Sequence, residues 1–431
     1  MRPKEIVLLL LIILIGVSFY YLEDLRVRVE DWDIDFPFEG SSFIFEEQIT
    51  EQPVPILEII NSHGSVQVEG TDSSEIIIIL EKKVWQKNEG QAREIAEEIK
   101  LLKTREADRL VITTNQESFK KKRFTTSFRV RLPKETAIQV KNSFGPVRIS
   151  GVERVNLNNP HGQVDLLEIS GPAKVVNSFE KLSLIDIGGE CQVETKHSSA
   201  ILSRIDGAVK IDCSHEDLEL FDLKSSLSLN SQHTRIKAAR IAGPSEIVSS
   251  YELITLNQSG PAVIKSHHCP VEIVELEGDL ELKTTYERIR LEKIKGNLKI
   301  EGKSSRIELD GLEAEKIQID NSYEPVKLEN FRGQLDLRQK HADIILSPVS
   351  LDFPITVTNE YGDTDFYWPK NQIAHLEAET KGGEIHWELP FSPDQNFTNS
   401  KAMVKLFTGA ENRPKIRLIT TYGHIRFLNK E

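Results

Sequence analysis

The stretch "VKNSFGPVRISGV", at positions 140 to 152, contains a polar corner around Phe144 followed by a strand of alternating apolar residues. The pattern recurs as "NNPHGQVDLLEIS" from position 158 and as "VNSFEKLSLIDIG" from position 176. A period of two places one face of a strand in a core and the other in water, and the Gly, Asn and Pro residues at the corners disfavour helices. The stretch therefore predicts one strand and one turn of a repeated unit.

The corner position recurs every 17 to 20 residues. It is occupied in turn by Phe144, His161, Phe179, His197, His215, His233, Tyr251, His268, Tyr286, Ser305, Tyr323, His341 and Tyr361. Self-similarity near 18 residues is typical of a solenoid, in which each coil buries its apolar face only against its neighbours. A parallel β-solenoid keeps such a column in register because successive coils are stacked about 4.8 Å apart.

We therefore predict an all-β fold, a parallel β-solenoid (β-helix) of about 18-residue coils over residues 141–388. Within it, Leu291 and Leu309 should be stacked inward on adjacent coils, with Arg290 and Glu308 directed to water. Residues 51–140 depart from the repeat and predict a small α+β cap with one amphipathic helix. Its apolar face should consist of Ala92, Ile95, Ala96, Ile99 and Leu102. Residues 389–431 are predicted to form an insertion followed by C-terminal capping strands, and residues 23–50 an acidic stalk.

The uncharged apolar run of residues 6–22 predicts a signal anchor that forms a transmembrane helix within residues 1–22. A helix of this length rises about 25 Å, which is at the lower edge of a bilayer span. The run ends in aromatic residues rather than in the small residues of a cleavage site. Arg2 and Lys4 precede it, so the N-terminus is expected in the cytoplasm and the rest of the chain outside it, in the periplasm or at the cell surface. A cleaved signal peptide is the alternative.

Composition excludes some classes of partner. The chain has 67 acidic and 54 basic residues and a net charge of −13, which disfavours general binding to nucleic acid. Cys191, Cys213 and Cys269 form an odd set without CxxC spacing, so neither a disulfide framework nor a zinc motif is indicated. We expect them to be small apolar residues of the core.

The order of these elements resembles a known family. The segments "LEIINSHGSVQVEG", "AREIAEEIKLL", "RLVITT" and "FRVRLPKETAIQVKNSFGPVRISG" precede the repeats in that order. Together they resemble the bacterial putative-adhesin repeat domains, whose function is unassigned and which are compared with auto-transporter adhesin heads. The resemblance covers residues 50–390 and implies a β-solenoid, no catalytic residues and a membrane or envelope location. The chain departs from the family in carrying His or Tyr at many corners where Gly-Asp is frequent.

The candidate metal ligands are His197, His215 and His233 on consecutive coils, with Cys213 beside them. Zinc holds its ligand nitrogens about 2.0–2.1 Å from the ion, whereas stacked coils place the first and third histidine about 9.6 Å apart. Two neighbouring histidines could share an ion, but three in line could not. The alternative is a column of stacked rings, since Phe and Tyr occupy the same position on other coils.

Other chemistry is weakly indicated. Cys213, His215, Glu216 and Asp217 are neighbours at one corner, where nucleophile and base rarely meet. Asp363 and Asp365 lie two residues apart and could form the carboxylate pair of a glycan-cleaving enzyme, although such pairs are common on solvated strands.

A basic cluster forms the tip of a predicted hairpin. Lys120, Lys121, Lys122 and Arg123 follow one another there. They are interpreted as a solvated hairpin tip, with contact to an anionic envelope polymer or to lipid headgroups as the functional alternative.

The sequence favours a non-catalytic, membrane-anchored, extracytoplasmic repeat protein without a cofactor. It would act as an adhesin-like scaffold, or as a binding surface for an envelope or cell-surface partner, and that partner would be a protein or a polysaccharide on the side of the solenoid. Two alternatives stay open: a glycan-processing β-helix enzyme, and an accessory protein of an envelope-stress regulatory system.

Overall fold

The computed structural model describes residues 41–119, 123–389, 398–400, 403–408 and 413–430. The predicted signal anchor, the first part of the predicted stalk and Lys120–Lys122 lie outside the described residues. Among the helices in the described ranges, none is both long enough and apolar enough to cross a membrane.

The described chain consists almost wholly of strands, with one α-helix, α1 (Glu89–Glu98), and one 3-10 turn (Gln116–Phe119). The strands are β1 (Ser41–Glu51), β2 (Ile56–His63), β3 (Val66–Thr71), β4 (Ile76–Gln86), β5 (Leu101–Arg105), β6 (Arg109–Thr114), β7 (Phe124–Pro133), β8 (Ala137–Phe144), β9 (Val147–Ser150), β10 (Arg154–Asn159), β11 (Val164–Ile169), β12 (Ala173–Ser178), β13 (Leu182–Ile187), β14 (Cys191–Lys196), β15 (Ala200–Ile205), β16 (Val209–Ser214), β17 (Asp217–Leu223), β18 (Leu227–Gln232), β19 (Arg235–Ile241), β20 (Ser245–Ser250), β21 (Ile254–Ser259), β22 (Ala262–His267), β23 (Val271–Glu277), β24 (Leu280–Thr285), β25 (Ile289–Lys295), β26 (Leu298–Lys303), β27 (Ile307–Asp320), β28 (Val326–Lys340), β29 (Ile344–Pro348), β30 (Ile355–Glu360), β31 (Thr364–Trp368), β32 (His375–Lys381), β33 (Ile385–Trp387), β34 (Thr398–Ser400), β35 (Met403–Thr408), β36 (Lys415–Thr421) and β37 (Ile425–Asn429).

The fold is a parallel β-solenoid of about 13 turns with coils of about 18 residues, as the period predicts. Each coil contributes one strand to each of two faces. The even-numbered strands from β8 to β26 pair in parallel along the first face, and the odd-numbered strands from β9 to β25 do so along the second. The long strands β27 and β28 bend and contribute to both faces. Along the chain, one strand of the second face and one strand of the first face therefore lie between one corner and the next.

The inward register of the second face is confirmed for Leu291 and Leu309. The two leucines lie opposite each other on neighbouring coils and are fully buried. Glu308 is not an ordinary solvated residue, however, because its carboxylate contacts both Arg288 and Arg306. Its side chain is only 25% exposed. Glu308 therefore holds two cations of adjacent coils together, which the alternating pattern does not reveal.

At the N-terminal end the chain doubles back, so that its first coil is not the outermost one. Strand β2 pairs with β8 on one side and with β6 on the other. In the same way β3 lies between β9 and β7. The parallel stacking thus extends to residue 56, and the coil of β6 and β7 is placed beneath it. Strand β5 then covers β6, while β4 and β1 extend β7, all in antiparallel pairing.

The C-terminal end repeats this arrangement. Strands β36 and β37, the last two in the chain, are inserted between the coil of β30 and β31 and the coil of β32 and β33. The free edge of β32 is covered by β35 in antiparallel pairing, and β34 pairs with β35. Antiparallel strands therefore cover β6 and β7 at one end of the stack and β32 at the other, and covering such edges is a usual safeguard against edge-to-edge aggregation.

Helix α1 forms a small second core with β1 and β4. Asn88 caps its first turn by accepting a hydrogen bond from the Gln91 N–H at 3.0 Å. Ala92, Ile95 and Ala96 are buried as predicted. Ile99 is buried but serves as the C-cap, outside the helix, and Leu102 lies in β5 with 46% of its surface exposed. The predicted helical face was thus one turn too long, because the chain turns extended at Ile99.

Candidate functional site

The corner between the two faces carries a column of stacked rings, which we call the aromatic corner. Neighbouring rings lie 4.3 to 5.8 Å apart between centroids and within 23° of parallel. One run comprises His63, Phe144, His161, Phe179, His197, His215, His233, Tyr251, His268 and Tyr286, and a second comprises Tyr323, His341, Tyr361 and Tyr422.

The backbone at the aromatic corner is left-handed. From Phe179 onward every ring residue of the column has a φ between 52° and 79°, a conformation that costs a non-glycine residue about 1–2 kcal/mol. Each coil is held to the next there by a backbone bond, such as that from the His215 N–H to the Gln232 carbonyl at 2.9 Å. Stacking on both sides offsets the local cost and leaves the ring edges, rather than their faces, in contact with solvent.

One corner position inside the column, between Tyr286 and Tyr323, lacks a ring. The residue with left-handed backbone on that coil is Ser304, with a φ of 56°. Ser305, which the sequence alignment placed at the corner, is instead fully buried and accepts the Asn321 side-chain N–H through its backbone carbonyl. The interval from Tyr286 to Ser305 is 19 residues, one more than the usual 18, because the corner itself falls on Ser304. The column is therefore interrupted between Tyr286 and Tyr323.

The predicted metal ligands His197, His215 and His233 are three consecutive rings of the column. Their centroids are 4.3 and 5.3 Å apart and their planes lie within 23° of each other. Nearly parallel rings direct their nitrogen lone pairs side by side rather than towards one point. Cys213 points away from them, since its thiol donates to the Thr234 hydroxyl at 3.9 Å. Burial raises the pKa of the Cys213 thiol to about 11, so the thiolate that a metal requires is disfavoured.

A second column, of buried polar side chains, lies inside the aromatic corner. Asn61 donates to the Asn142 side-chain oxygen at 3.1 Å, and Asn142 donates in turn to Asn159 at 3.3 Å. Further along, the Ser231 hydroxyl donates to that of Ser249 at 2.8 Å. Buried polar groups are costly unless paired. These bonds between successive coils therefore favour one register over a coil slipped by one residue.

The first face is hollowed beside the aromatic corner. A groove of about 680 Å³ extends over the coils from β18 to β27, and its lining includes Lys265, His267, Lys283, Thr285 and Lys303. Hollows of about 300 and 200 Å³ continue it across the same face. The lining is polar and of mixed charge, and the rings of Tyr251, His268 and Tyr286 border it along the corner.

Four charged residues form a checkerboard at the junction of the three hollows. Lys283 lies 3.1 Å from Glu301, and Lys299 lies 2.8 Å from Glu301 and 3.2 Å from Glu281. Hydrogen bonds from Lys299 and Lys283 lower the pKa of the Glu301 carboxyl. Exposed pairs of this kind add little to stability. They do fix a defined pattern of charge on the surface that a partner would meet.

Asp363 and Asp365 do lie together, but an arginine separates their charges. Arg426, from the coil inserted at the C-terminal end, lies 3.2 Å from Asp363 and 2.5 Å from Asp365. The Asp365 hydrogen bond raises the pKa of Arg426 further above its ordinary value. A glycosidase requires one carboxyl that stays protonated near neutral pH. Arg426 pairs with both carboxylates, so neither is free to act as the separate acid or nucleophile that this reaction requires.

Glu384, His386 and His424 form an exposed cluster with ligand atoms within 4.8 Å of one another, which sequence spacing could not suggest. On these coils the backbone N–H two positions past the corner donates to a side chain of the neighbouring coil. The Asp363 N–H donates to Asp343, the His424 N–H to Asp363, and the Glu384 N–H to His424. His424 accepts this bond through Nδ1, at 3.2 Å from the Glu384 nitrogen. A neutral imidazole that accepts at Nδ1 carries its proton on Nε2, which removes the second lone pair. The cluster therefore has the residue types of a metal site, but its His424 is already occupied by the backbone.

The remaining candidates are dispersed. Asp217 is paired with Arg235 at 3.2 Å, while Cys213 packs against the core, so the Cys213–Asp217 segment forms no catalytic arrangement. Of the basic cluster, Arg123 alone lies in the described chain. Its side chain is exposed, and its carbonyl accepts the Trp85 N–H at 3.2 Å.

The family is shown by comparison with known proteins. The family described as Toastrack DUF4097 matches residues 56–427, which is most of the chain. The chain belongs to this family. The match confirms the resemblance to a solenoid family of unassigned function that the order of the sequence segments indicates. The matched range also includes the first coil, formed by β2 and β3, and the inserted last coil, formed by β36 and β37.

Three solved structures of other proteins are similar to this chain. A putative cell adhesion protein from Clostridium sporogenes is 8% identical, with 90% of this chain and 100% of that chain covered and a TM-score of 0.17. A putative adhesin from Bacteroides fragilis is 13% identical, with 60% and 97% covered and a TM-score of 0.21. A putative lipid binding protein from Parabacteroides distasonis is 9% identical, with 91% and 99% covered and a TM-score of 0.21. No curated protein matches the chain.

Proposed function

We propose that this Toastrack protein is a non-catalytic, membrane-anchored scaffold that presents the first face of its solenoid to a partner in the cell envelope or at the cell surface. The observation that carries the proposal is the groove of about 680 Å³ on the first face, whose polar lining includes Ser250, His267 and Thr285, each directly before a ring of the aromatic corner. Concave surfaces with convergent polar groups and aromatic borders are the usual form of binding sites.

The second face, like the first, carries paired charges. Its bend positions carry side chains paired with one another from coil to coil, such as Asp186 with Arg204 and Asp222 with Arg240. Both pairs are bidentate, with distances of 2.5 and 2.8 Å. A hydrogen bond from Arg204 lowers the pKa of Asp186. Charge pairs of this kind also occur on the first face, so the feature that distinguishes the first face is its groove and the two hollows beside it.

The membrane anchor is proposed from the apolar run of residues 6–22 and from Arg2 and Lys4 before it. A reporter enzyme that is active only outside the cytoplasm, fused after Glu431, should be active in intact cells. Activity of a cytoplasmic reporter at that position, or a mature N-terminus near residue 23, would contradict the anchor.

Binding is tested with the full-length chain in detergent micelles against isolated envelope material. We expect saturable binding that Lys265→Glu weakens at least tenfold, because Lys265 lines the groove. The matched control is Lys237→Glu on the second face, since both lysines are about half exposed and loosely paired with a glutamate. Equal binding by both variants would refute the groove as the binding surface.

Pretreating the envelope material with protease or with polysaccharide-degrading enzymes then identifies the class of partner. If the full-length chain releases sugar products from untreated envelope material, the scaffold function is refuted and the glycan-processing alternative is supported.

A further inference from the structure

The interruption of the aromatic corner leaves two tyrosines that each stack on a ring of the column on one side only. Tyr286 stacks on His268 with centroids 5.1 Å apart, and Tyr323 stacks on His341 with centroids 5.0 Å apart. Ser304 occupies the corner between them. Each tyrosine therefore has one face stacked on its neighbour and the other turned towards the coil of Ser304.

The coil spacing continues unchanged through the gap. The Tyr286 N–H donates to the Lys303 carbonyl at 2.8 Å, and the Ser304 N–H donates to the Ser322 carbonyl at 2.9 Å. Tyr286 and Tyr323 are thus two coils apart, which is about 9.6 Å at the usual strand spacing. Rings of the column lie 4.3 to 5.8 Å apart. One additional flat ring fits between the two tyrosines at the column's own spacing, and two do not.

The gap differs from the ends of the column, where a ring could stack on one side only. Tyr422 is 64% exposed and is followed at the corner by Gly382, where a Cβ would lie 3.1 Å from the Cδ1 atom of Tyr422. A ring placed beyond Tyr422 would therefore keep one face in water. A ring between Tyr286 and Tyr323 would instead contact an aromatic ring on each of its faces, which stabilises it beyond the effect of the area that it buries.

The gap lies beside the groove of the first face. Thr285 and Lys303, which directly precede Tyr286 and Ser304, are part of the groove lining, together with Gly302. A volume of about 680 Å³ exceeds that of one ring and accommodates several residues of a chain. Its hydroxyl, amide and charged side chains can pair with a peptide backbone.

We propose that the gap at Ser304 binds one aromatic side chain of a partner polypeptide that lies in the groove. This inference rests on the proposed function, because it assigns the class of partner and its anchoring contact to the same surface. The inserted ring completes the column, and a buried aromatic anchor in a central pocket is the usual form of an interface hot spot.

The proposal is tested by ¹⁹F NMR on the full-length chain in detergent micelles, labelled with 3-fluorotyrosine and assigned through single Tyr→Phe variants. The probe is N-acetyl-tryptophanamide, and the matched non-aromatic probe is N-acetyl-leucinamide. We expect saturable shifts of the Tyr286 and Tyr323 signals with the tryptophan probe, and none with the leucine probe. The Tyr251 signal should stay in place, since both faces of that ring are stacked.

Ser304→His fills the gap with a ring whose backbone angles the corner already accommodates, because His197 and His215 have φ values of 53° and 61°. We expect this variant to lose the response to the tryptophan probe. Ser214→His places the same ring directly before an occupied corner position and should keep the response. Equal shifts of all tyrosines, equal effects of the leucine probe or of methyl glucoside, or an unchanged response of Ser304→His would each overturn the proposal.

The two proposals fail separately. If Lys265→Glu abolishes envelope binding while Ser304→His leaves it intact, the groove remains the binding surface and the aromatic anchor is refuted. If the partner is digested by polysaccharide-degrading enzymes rather than by protease, a polypeptide partner is refuted and the scaffold function stands.

Discussion

Tyr361 and Tyr422 stack with their centroids 5.2 Å apart, although they are separated by 61 residues in the sequence. The stacking is possible because β36 pairs with β30 and β37 with β31, ahead of the coil of β32 and β33. The last strands of the chain are thus enclosed by two coils that precede them. Because stability in a solenoid is carried by contacts between neighbouring coils, the C-terminal residues are essential to coils on both sides.

Phe427→Asp tests this arrangement. Phe427 is fully buried and contacts Phe366 and Trp387, whose ring centroids lie 6.1 and 5.1 Å away on the two flanking coils. An unpaired carboxylate there should cost several kcal/mol of unfolding free energy. Hydrogen exchange should show lost protection over residues 355–387, with residues 56–133 unaffected.

Asn429→Asp is the control for that experiment, because it adds the same charge two residues later at an exposed position of β37. We expect a change within about 0.5 kcal/mol. A loss of protection limited to residues 413–430 would contradict the enclosure of the last coil.

The sequence predicts the coil well and the ends poorly, for one physical reason. The apolar alternation around Leu291 and Leu309 reports which side chains face the core, and it is the same on every coil. It therefore carries no information about which coil lies next to which. The insertion of residues 415–429 before residues 375–387 depends on edges that look alike in sequence, and neither the period nor the corner residues could reveal it.

The candidate sites show a similar division. Stacking of His197, His215 and His233 follows from their equal spacing, and the alternative that the sequence left open is the one observed. The pairing of Asp363 with Arg426 depends on the insertion of the last coil and could not be predicted. At the gap, the sequence does not show the position of the corner, because Ser304 and Ser305 are both serines and either could be assigned to it.

Lys82→Met should destabilise the N-terminal cap. Lys82 is buried, and its Nζ donates to Glu47 at 2.7 Å and to the carbonyls of Ala96 and Ile99 at 3.1 and 2.7 Å, at the C-terminal end of helix α1. Its removal leaves those acceptors without this donor, which costs about 1–3 kcal/mol. Hydrogen exchange should accelerate over residues 89–98.

Lys83→Met is the matched control, since Lys83 is partly exposed and its Nζ lies 5.2 Å from the Trp85 ring centroid. Its loss should cost at most about 1 kcal/mol. If both variants lose the same unfolding free energy, the hydrogen bonds from Lys82 to the end of helix α1 do not stabilise the cap.

Leu229→Asp tests the inward register in the middle of the stack. Leu229 is buried, whereas Ser228 beside it is exposed between Lys210 and Glu246 on the adjacent coils. The leucine substitution should lower the unfolding free energy by several kcal/mol, and Ser228→Asp should change it by less than about 0.5 kcal/mol. Chemical denaturation of both variants provides the measurement. Equal losses of unfolding free energy in the two variants would show that the inward register of Leu229 is wrong.

Cys191→Val should reduce the loss of stability in alkaline solution. Burial raises the pKa of the Cys191 thiol from its ordinary 9.0 to about 12. Below pH 9 the thiol is protonated in both states, whereas between pH 9 and 12 only the unfolded chain ionises. The unfolding free energy of the wild-type chain should therefore fall by about 1.4 kcal/mol per pH unit through this group. Ala173 and Val209 hold the same position on the adjacent coils, so valine is compatible with the site. Between pH 8 and pH 10 the wild type should lose about 1.4 kcal/mol more unfolding free energy than the variant, as measured by denaturation at the two pH values. Equal losses in the two proteins would mean that Cys191 ionises in the folded protein.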